Sequence, residues 1–419
     1  MNRSDSPFRR RALLVAALLA ATAAAQAADA AVTVLRAQRL YVAPDAVPID
    51  DAVVLIEGGK ISAVGARAAL TVPAGARESS CSGGVVTAGF QNSHVHFTSP
   101  VYAGSDTAAQ AQALAAMLTR YGFTTVLDAA SDPRTTIALR RRIESGAVAG
   151  PRILTAGTGL YPPNGIPFYL ASLPKAVLEQ LPQPPTAEAA QQVVRFNLEA
   201  GADATKLFIA TPQADRSTKL MPGEVARAAA DETHKRGKLV LAHPTNIDGL
   251  RAALAAGVDI LAHTTLTPEG AWPEALVAQL VAQRVALVPT LKLWGFELAK
   301  AGVPAPVQQK LIGSAQAQLK GFAAAGGQVL FGTDVGYMTD FDPADEYSLM
   351  AGAGLTPMQI LASLTTAPAA RWNESARRGR VAAGLDADLV VLDGDPGADV
   401  RRFAQARCTI RGGMPLHPR

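Results

Sequence analysis

Apolar and polar positions alternate in short runs at both ends of the chain and change period in between. Near the start, Asp51-Ala52-Val53-Val54-Leu55-Ile56-Glu57 and Lys60-Ile61-Ser62-Ala63-Val64-Gly65 flank Gly58-Gly59, which reads as two strands about a tight turn. Near the end, Asp388-Leu389-Val390-Val391-Leu392-Asp393 and Cys408-Thr409-Ile410-Arg411-Gly412-Gly413 have the same character. One small β-sandwich domain built from residues 28–87 and 376–419 accounts for both. Across residues 88–375 short apolar runs alternate with stretches of helical period. Strands are expected at Gln91–Phe97, Thr124–Ala129, Arg152–Ala156, Thr205–Ile209, Leu239–His243, Ile260–His263, Ala286–Thr290 and Val329–Thr333. Helices are expected at Ala108–Tyr121, Thr135–Ser145, Ala187–Ala200, Gly223–Arg236, Gly249–Ala256, Pro273–Gln283, Pro306–Ala325 and Thr356–Ala370. Eight strand-helix units predict an α/β chain with a TIM-type (β/α)8 barrel.

Charge narrows the partners. The formal net charge of the 419 residues is +4. Arg3, Arg9, Arg10 and Arg11 against Asp5 supply +3 of it, so the rest of the chain carries no basic footprint for nucleic acid. The same basic start precedes the uncharged run Ala12–Ala25 and the small residues around Gln26, the pattern of an export signal cleaved after Ala27. That run is short for a bilayer span, so a periplasmic or secreted protein without stable membrane insertion is expected. A homo-oligomer is compatible with the sequence. Cys81 and Cys408 are too few for a disulfide framework. They either pair, if their strands lie side by side, or remain two buried thiols.

The chain has six histidines, and four stand at the ends of expected strands. His94 and His96 are two apart on the first strand and therefore share a face, so both imidazoles can grip one ion. Lys206 ends Ala204-Thr205-Lys206, His243 closes Leu239–His243, His263 closes Ile260–His263, and Asp334 follows Thr333. In a parallel barrel these strand ends converge on one rim, which gathers five good ligand types and a lysine. An ammonium cannot ligate a cation. Beside divalent ions its pKa falls, and the free amine can take up CO2 to become an anionic carbamate. An ion pair with Asp334 is the plainer alternative. The proline-rich segment Leu160–Pro185, with Tyr161, Asn164, Phe168 and Tyr169, follows the third strand and reads as either a lid or a rigid surface loop.

Gly89-Phe90-Gln91-Asn92-Ser93-His94-Val95-His96-Phe97 resembles the first-strand signature of the amidohydrolase superfamily. Gly201–Lys206 resembles its bridging-lysine strand, Ala242-His243 and Gly257–His263 its fifth and sixth strands, Phe331-Gly332-Thr333-Asp334 its eighth, and Gly384–Leu392 its return into the β domain. The similarity is nearest to imidazolonepropionase-like proteins and metal dipeptidases. It implies two divalent ions, zinc first and manganese, cobalt or iron as alternatives. His94, His96 and Asp334 would hold the more buried ion, His243 and His263 the more exposed one, and carboxylated Lys206 would bridge them. It further implies hydrolysis of an amide in a small N-acyl, cyclic-amide or dipeptide-like substrate, with Asp334 as the base.

Four departures bear on this. Ala88 and Asn92 replace a usual proline and carboxylate. Met221 stands where the dipeptidases carry a carbonyl-polarising tyrosine, and Gly159–Gly165 replaces their third-strand histidine segment. Tyr161 or Tyr337 is the substitute donor for the oxyanion, with Asn164 nearby on the same loop. Lys292 would hold a substrate carboxylate or pair with Glu297 or Asp340, and Trp294 would wall the pocket or pack. Lactone or phosphotriester hydrolysis on the same ligands is the rival chemistry, and a non-catalytic binding protein the rival class.

Overall fold

The computed structural model describes residues 32–418; the export segment expected in residues 1–27 lies outside them. Five strands open the described chain: β1 (Thr33–Leu40), β2 (Ile49–Glu57), β3 (Lys60–Ala66), the short β4 (Arg77–Glu78) and β5 (Val85–Ala88). β1, β2 and β3 form an antiparallel meander, and β4 and β5 run parallel to β1. Next come β6 (Phe90–Val95), β7 (Phe123–Asp128), β8 (Arg152–Thr155) and β9 (Ala204–Leu207). A small hairpin, β10 (Ala210–Pro212) and β11 (Thr218–Leu220), precedes β12 (Leu239–Ala242), β13 (Ile260–Ala262) and β14 (Ala286–Val288). The chain closes with β15 (Leu389–Leu392), β16 (Ala406–Arg411) and β17 (Met414–Pro418).

The terminal strands join into one eight-stranded sheet. β5 is the reason, because it pairs with β1 on one edge and with β15 on the other, so both chain ends share one hydrogen-bond ladder. Period-two patterning sorts its side chains. Leu35, Val54, Ile56, Val86, Leu389, Val391 and Ile410 pack together, while Val34, Val53 and Leu55 form a second cluster on the opposite face. A disulfide joins Cys81 to Cys408, which settles the open question of their pairing.

The middle of the chain forms two parallel arcs, β6-β7-β8 and β9-β12-β13-β14. One seam between them is made by Leu160, whose N–H donates to the Lys206 carbonyl at 2.9 Å and whose carbonyl accepts from Phe208 N–H at 2.8 Å. Residues 328–335 make the other. Leu330 N–H donates to Leu287 at 2.9 Å on the β14 side, and Ser93 N–H donates to Phe331 at 2.7 Å on the β6 side. This segment was expected to be the eighth strand, yet it forms isolated bridges and no ladder. Phe331 N–H turns away to the Ser363 carbonyl, and Asp334 is left-handed (φ 60°), which breaks the extended repeat.

Helices cover the strands. The helix Ala187–Ala200 has the expected bounds, with Thr186 capping its start and left-handed Gly201 (φ 112°) its end. The expected helix at Thr356–Ala370 is two, Pro357–Leu364 and Thr366–Arg371. Three further helices were not expected, the short Lys175–Leu178, Leu291–Lys300 and Ala344–Gly352. No described helix is long and apolar enough to cross a membrane.

Candidate metal centre

The six strand-end residues meet at one rim. His94 Nε2 lies 3.4 Å and His96 Nε2 2.9 Å from Asp334 Oδ1, and His263 Nε2 lies 4.0 Å from Asp334 Oδ2. Ligand atoms of His94, His263 and Asp334 all fall within 4.8 Å of one another. The ring of His263 is 4.7 Å from that of His94 and 4.8 Å from that of His243. Lys206 is fully buried, with its Nζ 5.2 Å from the Phe208 ring, which in turn stacks 5.7 Å from His243. Gly332 permits this approach. A Cβ there would sit 2.3 Å from Val288 Cγ1 and 3.0 Å from His94 Cβ.

Backbone strain gathers at the same place. His263 (φ 78°), Thr290 (φ 44°) and Asp334 (φ 60°) are left-handed without being glycine. Each costs about 1–3 kcal/mol, and such residues concentrate where the surrounding structure must aim a side chain.

Hydrogen bonds decide which ring nitrogens face inward. His96 Nδ1 lies 3.0 Å from the Ala130 carbonyl, which can only accept, so Nδ1 carries a proton and the neutral ring presents Nε2 as its lone pair. Thr290 Oγ1 donates to the Pro289 carbonyl at 2.9 Å and so accepts from His263 Nδ1 at 2.6 Å, leaving His263 Nε2 as a lone pair too. Asp334 Oδ1 correspondingly accepts no hydrogen bond although His96 Nε2 is 2.9 Å away. Burial, with Lys206 adding to it, holds His94 and His263 well below the ordinary imidazole range and His243 down at about 3. At His96 burial opposes charge, but the Asp334 carboxylate outweighs it and the net shift is upward.

These residues fit a divalent cation. Neutral imidazoles and a carboxylate are what such ions accept, and two lone-pair-bearing atoms pressed together call for positive charge between them. Lys206 Nζ has no hydrogen-bond partner, and burial lowers its pKa to about 8 against the smaller opposing pull of Asp334. The plain Lys206–Asp334 ion pair is thus not formed.

The remaining candidates divide. Tyr161 lies flat on Phe208 with centroids 4.3 Å apart, and its hydroxyl makes no hydrogen bond within the described residues. Tyr337 donates its hydroxyl to Glu297 at 2.8 Å, so it is not a free oxyanion donor. Lys292 does not await a carboxylate. It is buried, 2.7 Å from Asp340 Oδ2 and 2.6 Å from the Asp342 carbonyl. Trp294 packs 6.1 Å from His263 and donates to Thr264 at 2.8 Å. Asn164 is exposed and left-handed (φ 52°), at the turn closed by Gly165 N–H to the Pro162 carbonyl, a role in loop geometry. Met221 is buried, and its N–H donates to the Ile209 carbonyl at 2.8 Å.

Three groups were missed. Tyr169 packs edge-on against Tyr337, and its phenol is raised by burial first and then by Tyr161 and Asp334. Asp128, buried at the end of β7, accepts from Ser131, Thr136 and Thr155 at 2.6–2.9 Å beside His96, and its place at a strand end was a readable signal. Thr290, which orients His263, was readable only as the end of a strand.

Residues 85–414 match the amidohydrolase family. The chain belongs to that family. It is 22% identical over 296 residues to an ochratoxinase of Aspergillus niger, a match spanning 64% of this chain and 60% of that protein. Its fold is similar to a crystal structure of a Xaa-Pro dipeptidase with bound methionine, at TM-score 0.78 and 21% identity over 92% of this chain and 99% of the other. It is likewise similar to the crystal structure of A. niger ochratoxinase, at TM-score 0.77 and 20% identity over 93% and 96%. These likenesses give the strand array its TIM-barrel-type class.

Proposed function

We propose that this chain is an exported, binuclear metal-dependent amidohydrolase that cleaves the carbon–nitrogen bond of a small amide. One observation carries the reading: the amine of Lys206, buried without a partner among His94, His243, His263 and Asp334. At a pKa of about 8 roughly a tenth of it is neutral at pH 7. That amine adds to CO2 and releases one proton, which gives a carbamate whose two oxygens suit a bridge. His94, His96 and Asp334 would hold one ion, His243 and His263 the other, and zinc suits the donor set best. When bound, the ions supply an activated water and polarisation of the scissile carbonyl.

The protein's own groups do the rest. Asp334 is placed to take the proton from the attacking water and return it to the leaving nitrogen. Tyr161, held flat on Phe208 with its hydroxyl unengaged, is the better-placed oxyanion donor now that Tyr337 is bound to Glu297. Because Lys292 is engaged by Asp340 and Asp342, a neutral N-acyl or cyclic amide is favoured over a dipeptide with a free carboxylate. Export is supported by the Cys81–Cys408 disulfide, which suits an oxidising compartment.

The test is metal analysis joined to a substrate panel. Zinc-reconstituted protein is expected to hold about two ions per chain and to hydrolyse members of a set of neutral N-acyl amines and cyclic amides faster than dipeptides, lactones or phosphotriesters. Lys206→Ala should lose one ion and most turnover, with partial recovery in added acetate or propionate. Full metal content in Lys206→Ala would remove the bridge, and a preference for phosphotriesters would remove the amide assignment.

A further inference from the structure

We infer that Glu346 is a positioning residue for the metal centre: it caps the helix Leu291–Lys300 from a neighbouring helix and so frees the Thr290 hydroxyl to orient His263. The inference rests on the metal-centre reading above. A helix start leaves its first N–H groups without intrahelical partners, and a threonine just before it usually bonds one of them. Thr290 occupies that place, yet its side chain makes no cap bond. Its hydroxyl instead accepts from His263 Nδ1 at 2.6 Å and donates to the Pro289 carbonyl at 2.9 Å. Its proton goes to Pro289 and a lone pair to His263, which turns the hydroxyl away from the helix start.

The orphan donors are satisfied from 55 residues away in the chain. Leu291 N–H donates to one oxygen of the Glu346 carboxylate at 2.9 Å, and Lys292 N–H donates to the other at 2.7 Å. Glu346 is fully buried in the helix Ala344–Gly352. Burial pushes its carboxyl up to about 7 against those two bonds, so this carboxylate is held where few would be tolerated. The negative end it presents also suits the positive pole of the helix. By fixing residues 291 and 292, Glu346 holds Thr290 in its left-handed conformation (φ 44°) and points Oγ1 at the imidazole. Partners of this kind fix the tautomer and angle of a metal-ligating histidine. Without Glu346 the Thr290 hydroxyl would be drawn to its own helix and His263 would lose its acceptor.

The test is Zn2+ binding to metal-stripped protein by competition with a chromogenic chelator, alongside thermal unfolding without metal. Thr290→Val should weaken the binding of one zinc by about tenfold or more, and Thr290→Ser should restore it. Glu346→Gln, which keeps one acceptor oxygen, should weaken the same zinc by about five- to tenfold. The double variant Glu346→Gln/Thr290→Val should bind no more weakly than Thr290→Val alone, because the glutamate acts through the threonine. If Glu346→Gln lowers the melting temperature yet binds zinc as the wild type does, or if the two losses multiply, the inference is overturned and Glu346 is a structural cap only. Should Glu346→Gln not fold, Glu346→Asp carries the same comparison. Wild-type protein that binds no zinc would instead overturn the metal-centre reading.

Discussion

Beneath the starts of the barrel-type strands, charge is matched residue by residue. Arg378 reaches Asp386 at 2.9 Å, Glu374 at 3.1 Å and Asp388 at 3.2 Å, Arg140 pairs with Asp203 at 2.7 Å, and Arg152 pairs with Glu374 at 2.5 Å. At the opposite ends of the same strands, Lys206 Nζ, His94 Nδ1 and Asp334 Oδ1 are buried with no hydrogen-bond partner. The rim groups are the more deeply buried: Arg140, Arg152, Asp203, Glu374 and Asp386 are partly exposed, so the unmatched groups lie where desolvation costs most. In one network every charge has an opposite charge within the chain, even where Arg378 Nε and Glu374 Oε2 make an ion pair without a hydrogen bond. The other is complete only with a further cation, and its strained backbone at His263 and Asp334 shows that the surrounding fold sustains the cost.

Three measurements press on this contrast. Asp334→Asn should lower turnover by about a thousandfold while the protein stays folded, since a base contributes on the order of 10²–10⁴. Turnover within a few-fold of wild type would take Asp334 out of the proton-transfer role. Arg378→Met should do the reverse. It leaves Asp388 without its cation, while Glu374 keeps Arg152 and Asp386 keeps Lys60 and Arg377, and should cost about 3–5 kcal/mol of stability by denaturant unfolding, with zinc content unchanged. A stable Arg378→Met protein would show that the matched network contributes little.

The smallest effect concerns pH. The His243 pKa is about 3 in the folded chain against 6.5 for an ordinary imidazole, so the unfolded chain binds the extra proton between those values. Its contribution is therefore present above about pH 6.5 and is lost as pH falls toward 3. Metal-free wild type should lose melting temperature across that window more steeply than His243→Gln. Equal slopes would mean that His243 is more solvated than its burial implies.

What was legible in the sequence follows the range of the signal. Seven of the eight expected barrel strands are present to within a few residues, because each is a short apolar run with punctuation at both ends. The six candidate ligands were legible because a parallel array converts position in a strand into position in space. The eighth strand failed because Phe331 bonds across to Ser363 and Asp334 turns left-handed, neither of which alters local hydrophobicity. Lys292 follows the second of its two expected readings, the pair with Asp340, and Tyr337 is bound to Glu297. A polar side chain on a rim loop reads as substrate-facing until its partner is known, and Asp340 and Glu297 lie on separate elements. Glu346 had no local signature at all, since a cap supplied from another helix leaves the capped residue looking like an ordinary threonine.

The terminal sheet has a consequence for how the molecule is made. β5 leads through Gly89 directly into the strand of His94, and one of its two neighbours, β15, is drawn from the far end of the chain. During synthesis that edge has no partner until nearly every residue has emerged. Loop closure over so long a span adds only logarithmically to the entropic cost, but the unpaired edge is exposed to other chains throughout. A nascent chain halted before Leu389 would carry the makings of a rim and an open seam beside it, which makes the final strands a quality check on assembly.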